Sequence, residues 1–515
     1  MAGGLMQLVA YGAQDVYLTG NPQITFFKIV YKRHTNFASE AIEQTFSGNI
    51  GFNQKMSCQI TKNGDLITKM YLKIELSGSS VENGKWAWVG MLGYSILETI
   101  DLQIGGSTID RQYGEWLCIW HQLTNDISHE RGINKIIGNV SELTTLSADE
   151  KNVTLYIPLQ FFCCRYNGLA LPLIALQYHE VRFDVLLKNY EKLIIKQGDS
   201  NISSDDVSPT ITLDDVTLLI NYIYLDSEER KRFSTSTHEY LIEQIQSNGD
   251  EIVDLSNKKI RLNFSHPCKS LYWITKHGRY ISGKHFLYYI INEDNETNNL
   301  IEISSIRYVL ANTESTGGVI TIGDDNLITY NDVTIKAYID KVTNNEVLAN
   351  VENFVVVDAL SLEDLSKPIE DLTFGSRTDD TLNEGHSNFD ILVYMWNNFS
   401  LNLDNTINPI NDAQLQLNGH DRFSTQDGDY FNYVQPYENH KNTPNDGINV
   451  YSFAINPTEH QPSGTCNFSR IDNSTLNLNI DSNLLDNSSS NINIYAINYN
   501  ILRIMSGMGG LAYAN

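Results

Sequence analysis

Twelve histidines are the first side chains in this 515-residue chain that could hold a metal. A zinc or iron centre needs ligands at fixed spacing, such as H-E-x-x-H on one helix face or the H-x-D pair of a facial triad. None of the twelve stands in either pattern, nor in H-x-H. His179, beside Glu180, reads as a strand residue that is packed or hydrogen-bonded rather than a ligand. Paired carboxylates come next, at Asp205-Asp206, Asp214-Asp215, Glu228-Glu229 and Asp379-Asp380. Glycoside hydrolysis uses two carboxylates facing each other across about 5–10 Å. Adjacent acids in polar stretches meet no such requirement and read as solvated loops. Asp427-Gly428-Asp429 offers oxygens to calcium but lacks the ligand ladder of an EF-hand. Gly507-Met508-Gly509-Gly510 is not G-x-G-x-x-G and follows no βαβ unit, which removes a nucleotide site. No G-x-S-x-G elbow is present either. Cys58, Cys118, Cys268 and Cys466 are isolated, Cys163 and Cys164 are adjacent, and no C-x-x-C occurs. The six are therefore expected to be reduced, buried thiols. The expected catalytic, cofactor-binding and metal residues are none, and the expected role is structural.

The elements that would position such residues are almost all strands. Met70, Leu72, Ile74 and Leu76 alternate with polar neighbours, as do Val153, Leu155 and Ile157. The same alternation recurs at Val216, Leu218, Ile220, Tyr222 and Tyr224, and again at Leu476, Leu478 and Ile480. Period-two alternation puts one face on a core and the other toward polar surroundings. Turn pairs such as Gly105-Gly106 and Asn418-Gly419 punctuate these runs, giving an all-β chain of sandwich or barrel type. One helical period stands out: Tyr113, Trp116, Leu117, Trp120 and Leu123 predict a short amphipathic helix capping a barrel end.

A loose internal repeat points to duplication. Leu102-Gln103-Ile104-Gly105-Gly106 is followed by Asp110-Arg111, and Leu415-Gln416-Leu417-Asn418-Gly419 by Asp421-Arg422. A fainter echo joins Tyr178–Asp184 to Asn467–Asp472. Two related β domains fused in tandem explain both, and the length suits two cores better than one. The break is expected after Leu225, at the mixed-charge run Asp226–Arg232. Between Thr275 and Asn411 the chain is rich in Asn, Asp and Thr yet keeps strand-like patches at Val333–Ile339 and Phe354–Val357. That composition predicts an inserted structure projecting between two strands.

Charge narrows the partners. Sixty-two acidic residues against 36 Lys and Arg give −26, the wrong sign for coating a phosphate backbone, so no direct nucleic-acid binding is expected. Met1–Leu5 has no basic start to a secretory signal, and the run Leu169–Leu176 is short and broken by Pro172. A soluble protein made in the cytoplasm is expected. Asn139, Asn152, Asn398 and Asn467 open N-x-[ST] triplets, which carry little weight without secretory entry.

Longer blocks bear a family likeness. Leu8–Asp15 (LVAYGAQD), Tyr17–Lys28 (YLTGNPQITFFK) and Tyr31–Phe37 (YKRHTNF) resemble the opening of major capsid proteins of nucleocytoplasmic large DNA viruses, in their chlorovirus and mimivirus-like branch. Asn63–Leu66, Pro172–Val181, His238–Gln244, Asn418–Phe423, Gln461–Asp472 and the closing stretch Asn500–Asn515 continue the likeness in order through both halves. The resemblance implies a vertical double jelly roll, that is, two tandem eight-stranded jelly-roll barrels with a long insertion in the second. On it, residues 1–25 are an N-terminal arm, 26–225 the first jelly roll, 226–237 a linker and 238–515 the second, with a surface tower at about 275–411. It implies a homotrimeric, pseudo-hexagonal capsomer meeting neighbouring capsomers and minor capsid and penton proteins in an icosahedral virion shell assembled in the host cytoplasm. The arm would face the inner side near an internal membrane, and the outer loops would carry possible attached glycans. A glycan-binding jelly-roll surface protein is the alternative. A cupin-like metalloenzyme is a third reading, for which stoichiometric metal is not expected.

Overall fold

A computed structural model describes residues 3–197, 207–282, 284–292, 295–302, 319–322, 327–330, 333–336, 354–355, 389–401, 405–485 and 490–513. The alternating runs all become strands. The first half carries β1 (Phe37–Thr45), β2 (Lys55–Gln59), β3 (Leu66–Gly78), β4 (Lys85–Trp88), β5 (Leu97–Ile104), β6 (Ser107–Tyr113), β7 (Val153–Pro158), β8 (Leu171–Pro172), β9 (Val181–Leu187), β10 (Ile194–Gln197) and β11 (Ile211–Leu225). The second opens with β12 (His238–Ile252), β13 (Asn257–Arg261) and β14 (Pro267–Lys276). It then passes through β15 (Lys284–Asn292), β16 (Asn295–Glu302), β17 (Val319–Ile322), β18 (Leu327–Tyr330), β19 (Val333–Lys336), β20 (Phe354–Val355) and β21 (Phe389–Val393). It resumes with β22 (Ile410–Leu417), β23 (His420–Asp421), β24 (Gln426–Asp427), β25 (Ile448–Ser452), β26 (Cys466–Asn467), β27 (Ser474–Ile480), β28 (Asn491–Met505) and β29 (Met508–Leu511).

The two halves share one topology. In the first, the sheets run β1-β11-β3-β7 and β2-β9-β5-β6; in the second, β12-β28-β14-β25 and β13-β27-β22-β23. Counting only the eight strands of these two sheets in chain order, both halves have first-eighth-third-sixth facing second-seventh-fourth-fifth, which is the jelly roll. Among the described residues the strand ladders stay within separate sheets, so neither half closes into a barrel and each is a two-sheet sandwich.

The repeat seen in the sequence falls on equivalent positions. Gly105 and Gly106 turn β5 into β6, and Asn418 and Gly419 turn β22 into β23, the fourth-to-fifth connection in each half. All four residues have positive φ (59°, 83°, 52° and 80°), as a type I′ hairpin requires. The Asp-Arg likeness does not extend to contacts. Arg111 grips Asp101 bidentately at 2.6 and 2.7 Å, whereas Asp421 accepts from Gln416 Nε2 at 2.9 Å. The fainter echo lies where the chain enters the seventh strand, β9 or β27.

Between the halves, Asp226 accepts from Ser227 N at 2.7 Å and starts a helix over Ser227–Thr235 that joins β11 to β12. Most of the expected insertion at 275–411 lies outside the described residues. Its described strands form the sheet β19-β18-β17-β20 and part of a second, β16-β15-β21-β10-β4. The latter ties the second half's connection to the first, with Lys196 opposite Leu392 and Gln197 opposite Ile391.

Candidate functional site

The sheet β12-β28-β14-β25 has no solvent face of the usual kind. Along β14, Leu271 and Trp273 belong to the core of the second half, while Tyr272 and Ile274 join the core of the first. β28 divides likewise, with Ile492, Ile494 and Ala496 on one side and Tyr495 and Ile497 on the other. A single apolar core therefore runs from the first jelly roll across the junction. The predicted helix spans Gly114–Thr124 and buries Trp116, Leu117, Trp120 and Leu123. It lies in this junction: the Trp116 ring meets Tyr272 edge-on at 5.1 Å and Tyr495 at 5.8 Å.

Two ion networks bind the same seam. Lys276 lies 3.1 Å from both Glu115, in the helix's first turn, and Asp250 of β12. Tyr495 donates its hydroxyl to Glu115 at 2.9 Å, and Asn493 donates to Asp250 at 2.6 Å. The second network centres on Glu243 of β12, whose side chain is 4% exposed. Arg165 of the first half donates to its Oε2 at 2.9 Å, and Lys269 of β14 to its Oε1 at 2.7 Å. The Arg165 guanidinium also stacks on Trp120 at 4.1 Å. Lys269 reaches the Glu459 carbonyl at 2.7 Å, and His460 Nδ1 lies 3.8 Å from Glu243. Burial pushes the Glu243 carboxyl up, but His460, Arg165 and Lys269 more than offset it, so it titrates below the usual range. The pairing satisfies charges that would otherwise be costly to bury.

Asp110 of β6 faces the same seam, with no cation at contact distance among the described residues. Its Oδ1 accepts from Ile245 N of β12 at 2.9 Å, and Gln244 donates to the neighbouring Ile109 carbonyl. Burial dominates, lifting the Asp110 carboxyl to about 7 against the lowering pull of the Ile245 bond and Arg165. In the unfolded chain an Asp titrates near ~3.9. Between about pH 4 and 7 the folded state thus holds the extra proton, so stability falls as pH rises through that window. The Asp110→Asn variant should lack this decline, which a series of melting temperatures across pH 4–8 would read. A variant that keeps the wild-type slope would place the proton elsewhere.

A third contact joins the halves at the C-terminal hairpin. Gly507 and Gly509 belong to the turn and start of β29, not to a phosphate cradle: Tyr178 N donates to the Gly507 carbonyl at 2.9 Å, and His179 Nδ1 lies 2.9 Å from the Gly509 carbonyl. His179 precedes β9 and is not in a strand, a correction to the sequence reading; its hydrogen-bonded role stands. The C-terminal hairpin determines its surroundings, and local alternation carries no sign of that distant segment.

The other residues singled out by sequence do not converge. Asp214 and Asp215 lie on β11 and Glu228 and Glu229 on the linking helix, while Asp205-Asp206 and Asp379-Asp380 are outside the described residues. Asp427 and Asp429 line a shallow surface recess with Asp446, where burial and these two neighbours hold the Asp429 carboxyl above its usual value. Among the described residues, no group of three His, Cys, Asp or Glu is arranged to hold a metal. All six cysteines are free thiols, four of them buried. What the sequence reading missed is the buried charge at the seam. Lys269 and Lys276 bracket a strand whose centre, Leu271–Ile274, is apolar and aromatic, and a cation at each end of such a strand was the available signal.

The comparisons with known proteins agree with this architecture. The profile for the major capsid protein N-terminus matches residues 25–226, and that for the large eukaryotic DNA virus major capsid protein matches residues 229–510. The chain belongs to this capsid family. Capsid protein 1 of Acanthamoeba polyphaga mimivirus is 40% identical, and the major capsid protein of Phaeocystis pouchetii virus 41%, each with both chains wholly covered. Among solved structures, PBCV-1 VP54, fitted into a reconstruction of the virophage Sputnik, is 31% identical with a TM-score of 0.62. That likeness covers 95% of this chain and 100% of the other. The present capsid protein is thus a double jelly roll whose seam is a structural joint.

Proposed function

We propose that three copies of this capsid protein close into a pseudo-hexagonal capsomer and that these capsomers tile an icosahedral shell. One observation carries the reading: two sandwiches of identical strand order, locked by a continuous core, make each chain a rigid pair. Three such pairs present six similar units around a three-fold axis. Closed symmetry stops growth at the trimer, and an obligate interface of this kind buries about 2,000 Å² or more. Outward-facing loops of the second half would meet solvent and carry any glycans, and the N-terminal arm would face the inner side toward minor proteins. Assembly would take place in the host cytoplasm, and the role is architectural rather than catalytic.

Sedimentation of the purified chain should give a particle of three times 58.3 kDa. A stable monomer at micromolar concentration would overturn the trimer.

A further inference from the structure

We propose that the segment Phe26–Asn36 of one copy adds as a strand to the outer edge of β1 in a second copy of this chain. The inference rests on the trimer proposed above. The donor segment reads as a strand without a sheet. Phe26, Phe27, Ile29, Val30 and Tyr31 are aromatic and β-branched, the residue types that favour strands. They are 89, 97, 74, 80 and 83% exposed. Phe26 and Phe27 form a turn, and from Ile29 to Asn36 no backbone–backbone hydrogen bond is made among the described residues. Apolar exposure this dense and continuous marks a surface that is covered on assembly.

The acceptor is equally open. β1 ends its sheet, and β11 is its only partner strand among the described residues. Its pairing runs unbroken from Phe37 opposite Leu225 to Thr45 opposite Thr217. Of its nine residues only Gln44 is buried. Natural edges are usually blunted by a bulge, a proline or charged side chains. β1 has neither bulge nor proline over FASEAIEQT, and its only charges are the acidic Glu40 and Glu43, which a basic strand can pair. It is a regular edge of about 30 Å, and the 11-residue donor can span it. Charge agrees: Lys28, Lys32 and Arg33 precede a strand carrying Glu40 and Glu43, in a chain of net charge −26. The segment does not fold back on its own β1, since it lacks the bonds such a hairpin would need. Exchange around a closed three-fold ring supplies the partner instead. An anionic lipid surface would also attract aromatic and basic residues. Such binding favours an amphipathic helix, which Phe26–Asn36 does not form, and it leaves the β1 edge bare.

The test uses the full-length protein carrying Ile29→Cys and Ala41→Cys, oxidised as the assembled particle, with the unaltered chain controlling for native thiols. Covalent dimers and trimers on a non-reducing gel are expected. Hydrogen exchange at the outward-facing amides of β1 should also be more than about tenfold slower than in a Phe26→Ser/Ile29→Ser/Tyr31→Ser variant. A trimer that cross-links only within single chains, or whose β1 amides exchange at the variant's rate, overturns the exchange and leaves the trimer intact. Protection that appears only with anionic vesicles assigns the segment to lipid and likewise overturns it. A monomer overturns both.

Discussion

The Glu243→Ala variant is expected to lose about 3–5 kcal/mol of unfolding free energy. The loss comes from what remains, not from what is removed. Without Glu243, the Arg165 and Lys269 side chains stay buried, at 7% and 0% exposure, with no carboxylate between them. Glu243→Gln keeps the shape and should recover little, because an amide does not neutralise two cations. Replacing Glu243, Arg165 and Lys269 together by methionine should recover most of the loss, since well-packed apolar groups often substitute for a buried ion triad. Glu239→Ala is the control. Its pair with Arg503 is half exposed and should count for less than about 1 kcal/mol. Chemical denaturation of the four variants would measure the series, and a Glu243→Ala loss no larger than that of Glu239→Ala would refute it. The pH dependence has a definite sign. The folded-state carboxyl of Glu243 titrates below its unfolded value of ~4.3. Its contribution is therefore present above that value and lost as pH falls through the folded one. Asp110 acts oppositely and in a higher window, so one seam carries two slopes of opposite sign.

How legible these features were in the sequence depended on whether one face of an element met water. β3, β7, β11 and β27 alternate because their sheets have unlike faces, and that period marks each of them as a strand. β28 has nine consecutive buried residues from Ile492 to Asn500. With a core on each side there is nothing to alternate, so the period does not mark the strand that joins the halves, and the family likeness reaches only its end from Asn500. The hairpin repeat was legible because φ > 0 at two successive residues restricts the choice to Gly and Asn. The partners of Glu243 lie 78 residues before and 26 residues after it, and no local period encodes that distance. The helix shows both cases: its period predicts the burial of Trp116 and Trp120, but not that the wall it meets is Tyr272 and Tyr495 of the other jelly roll.

That wall makes Trp116→Ala the second large effect. Truncating a buried tryptophan typically costs about 3–5 kcal/mol, through lost transfer energy and the cavity left behind. Here the side chain is fully buried, within 5.8 Å of the rings of Trp120 and Tyr495 and 5.1 Å of Tyr272. The cavity would open in the core that the halves share, so the penalty should fall on their coupling as well as on each fold. A single cooperative unfolding transition should then separate into two as the jelly rolls begin to unfold independently. Trp273→Ala makes the contrast. Trp273 faces the second core, against Phe431 at 5.1 Å, so a comparable loss should destabilise the second half without exposing the seam. Hydrogen exchange distinguishes the two: Trp116→Ala should raise exchange in both the helix Gly114–Thr124 and β14, whereas Trp273→Ala should spare the helix. If Trp116→Ala unfolds in one step with the seam still protected, the ion networks and the hydrogen bonds across the seam hold the halves together without it. The shared aromatic core would then be filling rather than joint.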